Sequence, residues 1–233
     1  MADPLATSYH RMMVTDTRSG PTIRPPRISV APGDLEIVQR FVNTLDIENG
    51  TDEFDSPAGL SGWLAGSGLI TPQAAAGRVR PDEVPVSAAF RNRAVALREA
   101  LRDVLSLHAP GAPDGARARA AAAELRKAAS TLRIRIEVGD DGRVAPGPAG
   151  AGAAAALTRI LLLVAEAERA GTWSRLKACS ASDCRWVFYD RSPTRSGCWC
   201  SMRICGSRAK SRAYRRRAAA GPGGDLGDLR IET

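Results

Sequence analysis

Four cysteines near the C-terminus constrain this chain more than any other feature. Cys179 and Cys184 form one C-x4-C pair, and Cys200 and Cys205 form a second pair after fifteen intervening residues. Two such pairs on two short turns can surround one tetrahedral Zn²⁺ ion. The spacing therefore predicts a structural zinc knuckle that binds one zinc ion per chain.

Two other interpretations of the four thiols are less favoured. One is a disulfide or redox role, but disulfides would need an oxidising compartment, and residues 1–27 contain no apolar run typical of a signal peptide. A catalytic zinc usually keeps an open position and mixes histidine or carboxylate ligands with its thiolates. The chain has two histidines, His10 and His108, and both lie far from the cysteines in sequence.

Cys198 is a fifth cysteine and a candidate redox residue. It lies two residues before Cys200, so both side chains cannot easily join one site in an extended segment. Arg195 and Arg203 are near in sequence, and we expect their charge to lower the pKa of the Cys198 thiol. The alternative, which we favour, is a small residue on the surface of the knuckle.

Positive charge is concentrated in the segment that contains the cysteines. The whole chain has a formal net charge of +8, whereas residues 171–217 hold twelve basic and two acidic side chains, a net charge of +10. Such asymmetry predicts a polyanion partner, and the alternative is a solvated basic tail. The candidate DNA-binding residues are Arg203, Arg208, Lys210, Arg212, Arg215, Arg216 and Arg217.

The candidate DNA-binding residues should lie on one basic helix. If this helix is continuous, Arg203, Lys210 and Arg217 share one side at seven-residue spacing, and the remaining arginines fall mainly on the opposite side. Arg208 is expected either to contact DNA or to brace the knuckle through backbone carbonyls. Charge on nearly every face favours contact with phosphates over a single row of base contacts.

The rest of the chain has the pattern of an α+β protein. Apolar periodicity predicts helices after Asp34, over 85–108, 116–130 and 153–170, and hydroxyl caps before proline predict two short helices after Ser56 and Thr71. Residues 28–30 and 132–138 predict strands, the second with one solvent-facing side and a hairpin turn after it. No apolar run reaches the length of a membrane span.

These patterns give the predicted organisation. Residues 1–27 are expected to be a disordered leader and 218–233 a disordered tail. Residues 28–170 should form a mainly helical domain with a small β-hairpin or sheet, and 171–217 a small zinc knuckle ending in a basic helix. Three smaller expectations follow: a solvated acidic loop at 46–55, a helix-end position for His108, where a cationic side chain is favourable, and a core role for most of the aromatic residues between the cysteine pairs.

The cysteine segment resembles the CGNR-type zinc finger, a family named after a Cys-Gly-Asn-Arg tetrad. The resemblance lies in four stretches of this sequence, at 177–179, 183–190, 199–202 and 205–210. It implies zinc ligands at Cys179, Cys184, Cys200 and Cys205. Ser207 stands where the family has Asn, so the contribution of that amide is missing, whereas Cys205 and Arg208 are kept.

The N-terminal part resembles the domain that normally precedes this finger, an α/β domain called ABATE. The matching stretches are 41–45, 60–65 and 68–70. The resemblance implies a bacterial, cytoplasmic and nucleoid-associated transcription regulator of the stress response. In this interpretation the N-terminal domain senses a small molecule or a protein signal or mediates association, with a homodimer as a candidate assembly, and the finger binds DNA.

Two other functional classes compete with this interpretation. One is a protein-interaction module in which zinc only stabilises the fold, and it predicts no salt-dependent binding to DNA. The other is a hydrolase or thiol-redox enzyme, which needs a catalytic acid or base that the sequence does not supply. We therefore expect a protein that is not an enzyme.

Overall fold

The computed structural model describes residues 28–70, 84–111 and 115–220. The described residues have an α+β fold, as predicted. The helices are α1 (Leu35–Val42), α2 (Pro57–Gly66), α3 (Ala88–Ser106), α4 (Gly115–Ala129), α5 (Gly152–Arg169) and α6 (Ser207–Ala220). The strands are β1 (Leu45–Asp46), β2 (Thr51–Asp52), β3 (Ile134–Val138), β4 (Val144–Pro148), β5 (Leu176–Ala178) and β6 (Val187–Tyr189).

The strands of the described residues form three separate antiparallel pairs, β1–β2, β3–β4 and β5–β6. In the second pair Ile136 lies opposite Pro146, and in the third Lys177 lies opposite Phe188. A short 3₁₀ turn, Trp173–Arg175, leads from α5 into β5. A π-helical turn, Met202–Gly206, leads directly into α6.

The start of α2 follows the predicted capping chemistry. The Ser56 side chain accepts a hydrogen bond from the Gly59 N–H, and Pro57 occupies the first helical position. Ser87 caps α3 in the same way, which places its start three residues after Pro85. The second short helix expected after Thr71 lies outside the described residues, as do the leader and residues 221–233.

The core is built from the apolar faces of α1, α3 and α5. Leu97 and Leu101 of α3 and Ile160 of α5 are fully buried there, together with the aromatic cluster of Phe41, Phe54 and Trp63. The same core continues into the cysteine segment. It includes Trp173, Leu176, Ala178, Val187 and Tyr189. The finger is therefore packed onto the N-terminal domain through a shared core.

Three local predictions are wrong in part. Residues 28–30 form no strand, although the Ser29 carbonyl accepts a hydrogen bond from the Tyr189 N–H. The predicted acidic loop at 46–55 contains the β1–β2 hairpin, and its Asp52 pairs with the buried Arg98 at 2.6 Å. Strand β3 is exposed on both faces, because two strands alone cannot cover either of them.

His108 lies just after α3, as the helix-end prediction expects, and burial rather than the helix end decides its charge. The residue follows α3, where a cation would be favourable, but its Nδ1 lies 2.8 Å from the Leu176 carbonyl oxygen and its ring packs edge-on against Trp173. Burial lowers the pKa of His108, which outweighs the opposing effect of the Leu176 carbonyl. His108 therefore joins α3 to β5 as a neutral side chain.

Candidate zinc centre and nucleic-acid interface

Each of the four cysteines lies in or next to a short ordered segment. Cys179 follows β5, and its N–H donates to the carbonyl of Trp186, the residue before β6. Cys184 lies in the intervening turn, which Arg185 closes with a φ of 50°. Cys200 precedes the π-helical turn, and Cys205 lies within that turn. The β5–β6 pair and the π-helical turn therefore carry one cysteine pair each.

The four thiols converge on one point. Their sulfur atoms all lie within 4.8 Å of one another, and Cys200 Sγ is 3.6 Å from both Cys184 Sγ and Cys205 Sγ. Four sulfurs around a tetrahedral zinc at about 2.3 Å would be separated by roughly 3.8 Å. The donor set thus fits one zinc ion, as the sequence predicted, and four thiolates fill its coordination.

Proximity makes the four thiols unequal in acidity. Hydrogen bonds from Cys184 and Cys200 lower the pKa of Cys179 to about 2, and hydrogen bonding to Cys179 raises the pKa of Cys184 and of Cys200. Burial raises the pKa of Cys205 to about 12. One thiolate forms easily and the others resist ionisation, so a divalent cation is the natural source of compensating charge.

Cys198 lies beside this cluster but is not part of it. Its predicted pKa shift is wrong in direction, because burial raises the pKa of the Cys198 thiol above its ordinary value. Its backbone carbonyl accepts a hydrogen bond from the Ser180 N–H, which ties the second cysteine pair to the first. The charge of Lys177 acts in the opposite direction but does not outweigh burial, and a redox role for Cys198 stays a prediction.

The aromatic residues between the cysteine pairs have mainly packing roles. Phe188 and Tyr189 are buried, and Trp186 and Trp199 are half-buried against the cysteine cluster. Tyr189 belongs to the core that the finger shares with the N-terminal domain. The core role expected for most of these side chains is confirmed.

A buried ion pair holds the loop between β6 and Cys200. Lys177 Nζ lies 2.9 Å from Asp190 Oδ2, and it also donates to the carbonyl oxygens of Arg195 and Gly197. The Asp190 carboxylate accepts hydrogen bonds from the N–H groups of Ser192 and Gly197, at 2.9 and 2.8 Å. A Cβ at position 197 would lie 2.9 Å from the Asp190 carboxyl carbon, so glycine permits this close approach.

These contacts determine the charge of Asp190. Burial alone would raise the pKa of its carboxyl group, but the hydrogen bonds from Lys177, Ser192 and Gly197 outweigh burial and hold the pKa well below the ordinary value. Lys177 is counted among the basic residues of the finger, yet its charge faces the interior. No spacing rule in the sequence indicates this pair, although both residues lie in the stretches that resemble the zinc finger.

The π-helical turn changes the face on which Arg203 lies. The Gly206 N–H donates to the Ser201 carbonyl, and the Ser207 hydroxyl donates to the Met202 carbonyl at 3.3 Å. In such a turn residues five apart become neighbours. Arg203 therefore joins Arg208 rather than Lys210, and the prediction from a continuous helix is wrong for this residue.

The result is one arginine-rich face beside the zinc centre. A hollow of about 550 Å³ is lined by Arg203, Ile204, Ser207, Arg208, Ser211, Arg212 and Arg215. Lys210, Arg216 and Arg217 are exposed but do not line it. The helix α6 continues to Ala220, three residues beyond the predicted end of the finger. We call Arg203, Arg208, Arg212 and Arg215 the arginine face.

Two arginines of this face are paired with acids. Arg208 Nη1 lies 2.6 Å from Glu48 Oε1 in the β1–β2 turn, and Arg212 Nη1 lies 3.5 Å from Asp183 Oδ2 beside Cys184. Arg208 was expected to contact DNA or to brace the knuckle through carbonyls. In the structure its guanidinium pairs with a carboxylate of the N-terminal domain, and its contact with DNA stays a prediction. Both pairs are partly exposed, so other anions can compete for these guanidinium groups.

Side chains of α1 and of the residue that follows it complete the hydrogen bonding of β6. The Asn43 Oδ1 accepts from the Val187 N–H at 2.8 Å, and the Asn43 Nδ2 donates to the Val187 carbonyl at 2.8 Å. Gln39 donates to the same carbonyl at 3.1 Å. An amide side chain here replaces the backbone of a neighbouring strand. Asn43 lies in a stretch that resembles the ABATE domain, but its role was not visible in the sequence.

Arg102 makes a second connection between the two parts of the chain. It is fully buried and donates to the Val42 carbonyl at 2.6 Å and to the Arg185 carbonyl at 3.1 Å. Arg185 in turn pairs with Asp103 at 2.6 Å. Because Arg185 follows Cys184, α3 fixes the backbone beside a zinc ligand.

Comparison with protein families agrees with this architecture. The ABATE family model, described as "Putative stress-induced transcription regulator", matches residues 35–172, and the model described as "CGNR zinc finger" matches residues 175–218. The chain therefore belongs to the ABATE family and carries a CGNR zinc finger. No curated protein matches its sequence. Among the described residues, no helix is both long and apolar enough to cross a membrane.

Proposed function

We propose that this ABATE-family protein is a zinc-dependent, DNA-binding transcription regulator whose N-terminal domain receives a stress signal. The observation that carries the proposal is the arginine face, since four arginines line one hollow together with Ile204, the residue before the zinc ligand Cys205. We also propose that the chain is not an enzyme, because four thiolates leave a zinc ion no open position for a substrate.

The arginine face suits the phosphate backbone of DNA. Guanidinium groups bind phosphate oxygens through paired N–H donors and remain charged at every physiological pH. Contact with phosphates gives affinity that falls with salt and does not depend on sequence. Base contacts from the same helix would add specificity.

The N-terminal domain reaches this interface through Glu48. The β1–β2 turn brings its carboxylate to Arg208, so a signal that moves this turn changes the charge available to DNA. The signal belongs to one of two classes, a small molecule bound by the N-terminal domain or a protein partner.

The proposal is tested by the salt dependence of DNA binding. Full-length protein is titrated into labelled duplex DNA by fluorescence anisotropy at several salt concentrations, with and without a zinc chelator. We expect tight binding that weakens steeply with salt and is lost with the chelator. Replacing Arg212 and Arg215 by Gln should reduce the log–log salt slope by about 0.9 for each lost phosphate contact.

The matched control removes two charges elsewhere. Arg126 and Lys127 are exposed on α4, and replacing both by Gln makes the same change in net charge. This control should leave the slope unchanged. If the Arg212 and Arg215 variant keeps wild-type affinity and slope, the arginine face does not contact DNA, and the protein-interaction alternative gains support.

A further inference from the structure

The β3–β4 hairpin presents an apolar face to solvent. Ile134, Ile136 and Val138 of β3 are 56%, 67% and 69% exposed, and Val144 of β4 is 65% exposed. Val144 lies directly opposite Val138, so all four side chains extend from one side of the pair. A two-stranded hairpin is only marginally stable by itself. This face therefore lacks the cover that would stabilise it within the described residues.

The two edges of the hairpin differ in their ability to pair. The Arg133 carbonyl accepts from Ala149 and the Gly139 N–H donates to Arg143, so the odd-numbered residues of β3 face β4. The backbone groups of Ile134, Ile136 and Val138 consequently point to the open edge.

The outer edge of β4 is blocked by proline. Its outward N–H positions fall at residues 144, 146 and 148, and Pro146 and Pro148 have no N–H to offer. Proteins commonly protect an edge strand from pairing in this way. Strand β3 contains no proline and pairs with β4 alone within the described part of the chain, so one edge of the hairpin is protected and the other is open to pairing.

We propose that β3 pairs in antiparallel orientation with β3 of a second copy of this chain, with Ile136 opposite Ile136 of that copy. A two-fold axis through this position gives a closed dimer. Ile134 then lies opposite Val138 of the second copy, and the outward backbone groups of both strands form about six hydrogen bonds. The product is a four-stranded sheet whose apolar face combines the exposed side chains of both copies.

Charge selects this register over its neighbours. On the other face, Arg135 lies opposite Glu137 of the second copy, and Glu137 lies opposite Arg135 of that copy. Sliding one β3 strand by two residues along the other places Arg135 opposite Arg135 of the second copy, or Glu137 opposite Glu137 of that copy, depending on the direction. Like charges directly opposite each other are unfavourable. Within one chain these two side chains already form a pair at 3.0 Å, and both are exposed enough to exchange partners.

The pairing is tested by sedimentation of the full chain with zinc bound. We expect a dimer for the wild type and at least a tenfold weaker dimer for Ile136→Pro, which removes an outward N–H but no bond between β3 and β4. The matched control is Val144→Pro, which makes the same change at the outer edge of β4 and should leave the dimer intact. A monomeric wild type, or equal loss in both variants, would overturn the proposal.

Charge reversal tests the register. Arg135→Glu places like charges opposite each other and should weaken the dimer, whereas the double variant Arg135→Glu with Glu137→Arg should restore it. Failure of the double variant to recover, when circular dichroism shows a folded chain, rules out this register.

Crosslinking tests the position of the axis. In a Cys198→Ser background with zinc bound, Ile136→Cys should form a disulfide dimer on oxidation, since opposite Cα atoms lie about 5.5 Å apart. Ile134→Cys should not crosslink, because its counterpart lies four residues along the strand, about 13 Å away. Equal crosslinking of the two variants would contradict the arrangement.

Discussion

The buried pair of Lys177 and Asp190 should be a main source of stability in the finger. Their side chains are 1% and 4% exposed, and together they hold the backbone at Ser192, Arg195 and Gly197. Replacing Lys177 by Met removes the cation and leaves the carboxylate buried without its charge partner. Removing one member of a buried ion pair typically costs about 3–5 kcal/mol.

A double-mutant cycle separates the contribution of the ion pair to the free energy of unfolding from simple loss of packing. Asp190→Asn removes the negative charge but keeps one oxygen that can accept from a backbone N–H. In the Lys177→Met background it therefore also removes the uncompensated charge. We expect the double variant to lose about 1–3 kcal/mol less than the sum of the two single variants.

The assay is urea unfolding of the full-length protein at neutral pH with zinc present, with zinc content measured for every variant. A zinc content equal to wild type shows that the change acts on the loop rather than on the metal ligands. If Lys177→Met costs less than about 1 kcal/mol, or if the two changes are additive, the ion pair is not a main source of stability in the finger.

Two further predictions concern charge at the domain boundary. Glu48→Gln should strengthen DNA binding by about two- to fivefold, the range for an exposed ion pair, because Arg208 loses its competing carboxylate. Asp46→Asn is the control in the same turn, since Asp46 bonds to Asn49 and not to an arginine, and an equal gain there would show only a general charge effect. His108 should titrate below its ordinary pKa of about 6.5 by NMR, because burial disfavours the imidazolium form. Since the unfolded chain then binds its proton first, stability falls as pH drops below about 6.5, by up to roughly 1.4 kcal/mol per pH unit. That slope should be absent in His108→Gln, and an unchanged slope would contradict the assignment.

The zinc ligands could be predicted from sequence because thiol spacing alone restricts the geometry. The helices were predictable for a similar reason, since their buried residues repeat every three or four positions. The role of Arg102 could not be predicted. In the sequence it leaves the repeat of apolar positions in α3 intact and so looks like a surface residue, whereas in the structure it is fully buried. Apart from Glu99 on the same helix, its partners are backbone carbonyls, which a sequence does not reveal.

The arginine face was predictable in composition but not in arrangement. All of its residues were identified as basic, but the side of the helix on which Arg203 lies depends on one π-helical turn. That turn is defined by the hydrogen bond from the Gly206 N–H to the Ser201 carbonyl, and the pattern of apolar and polar residues in the sequence does not indicate this bond. The partner of Arg208 was also hidden, because Glu48 is 160 residues away in sequence.

The contacts between the two family domains argue that they fold and respond as one unit. The backbone of Val187 in β6 bonds to Gln39 of α1 and to Asn43, the residue after α1, so an isolated finger would expose these groups. Arg102 links α3 to the residue after Cys184, while Glu48 links the β1–β2 turn to Arg208. These two routes connect the N-terminal domain to the zinc centre and to the arginine face separately. In the proposed function, a signal that shifts the β1–β2 turn alone would therefore alter DNA contact without disturbing the metal site.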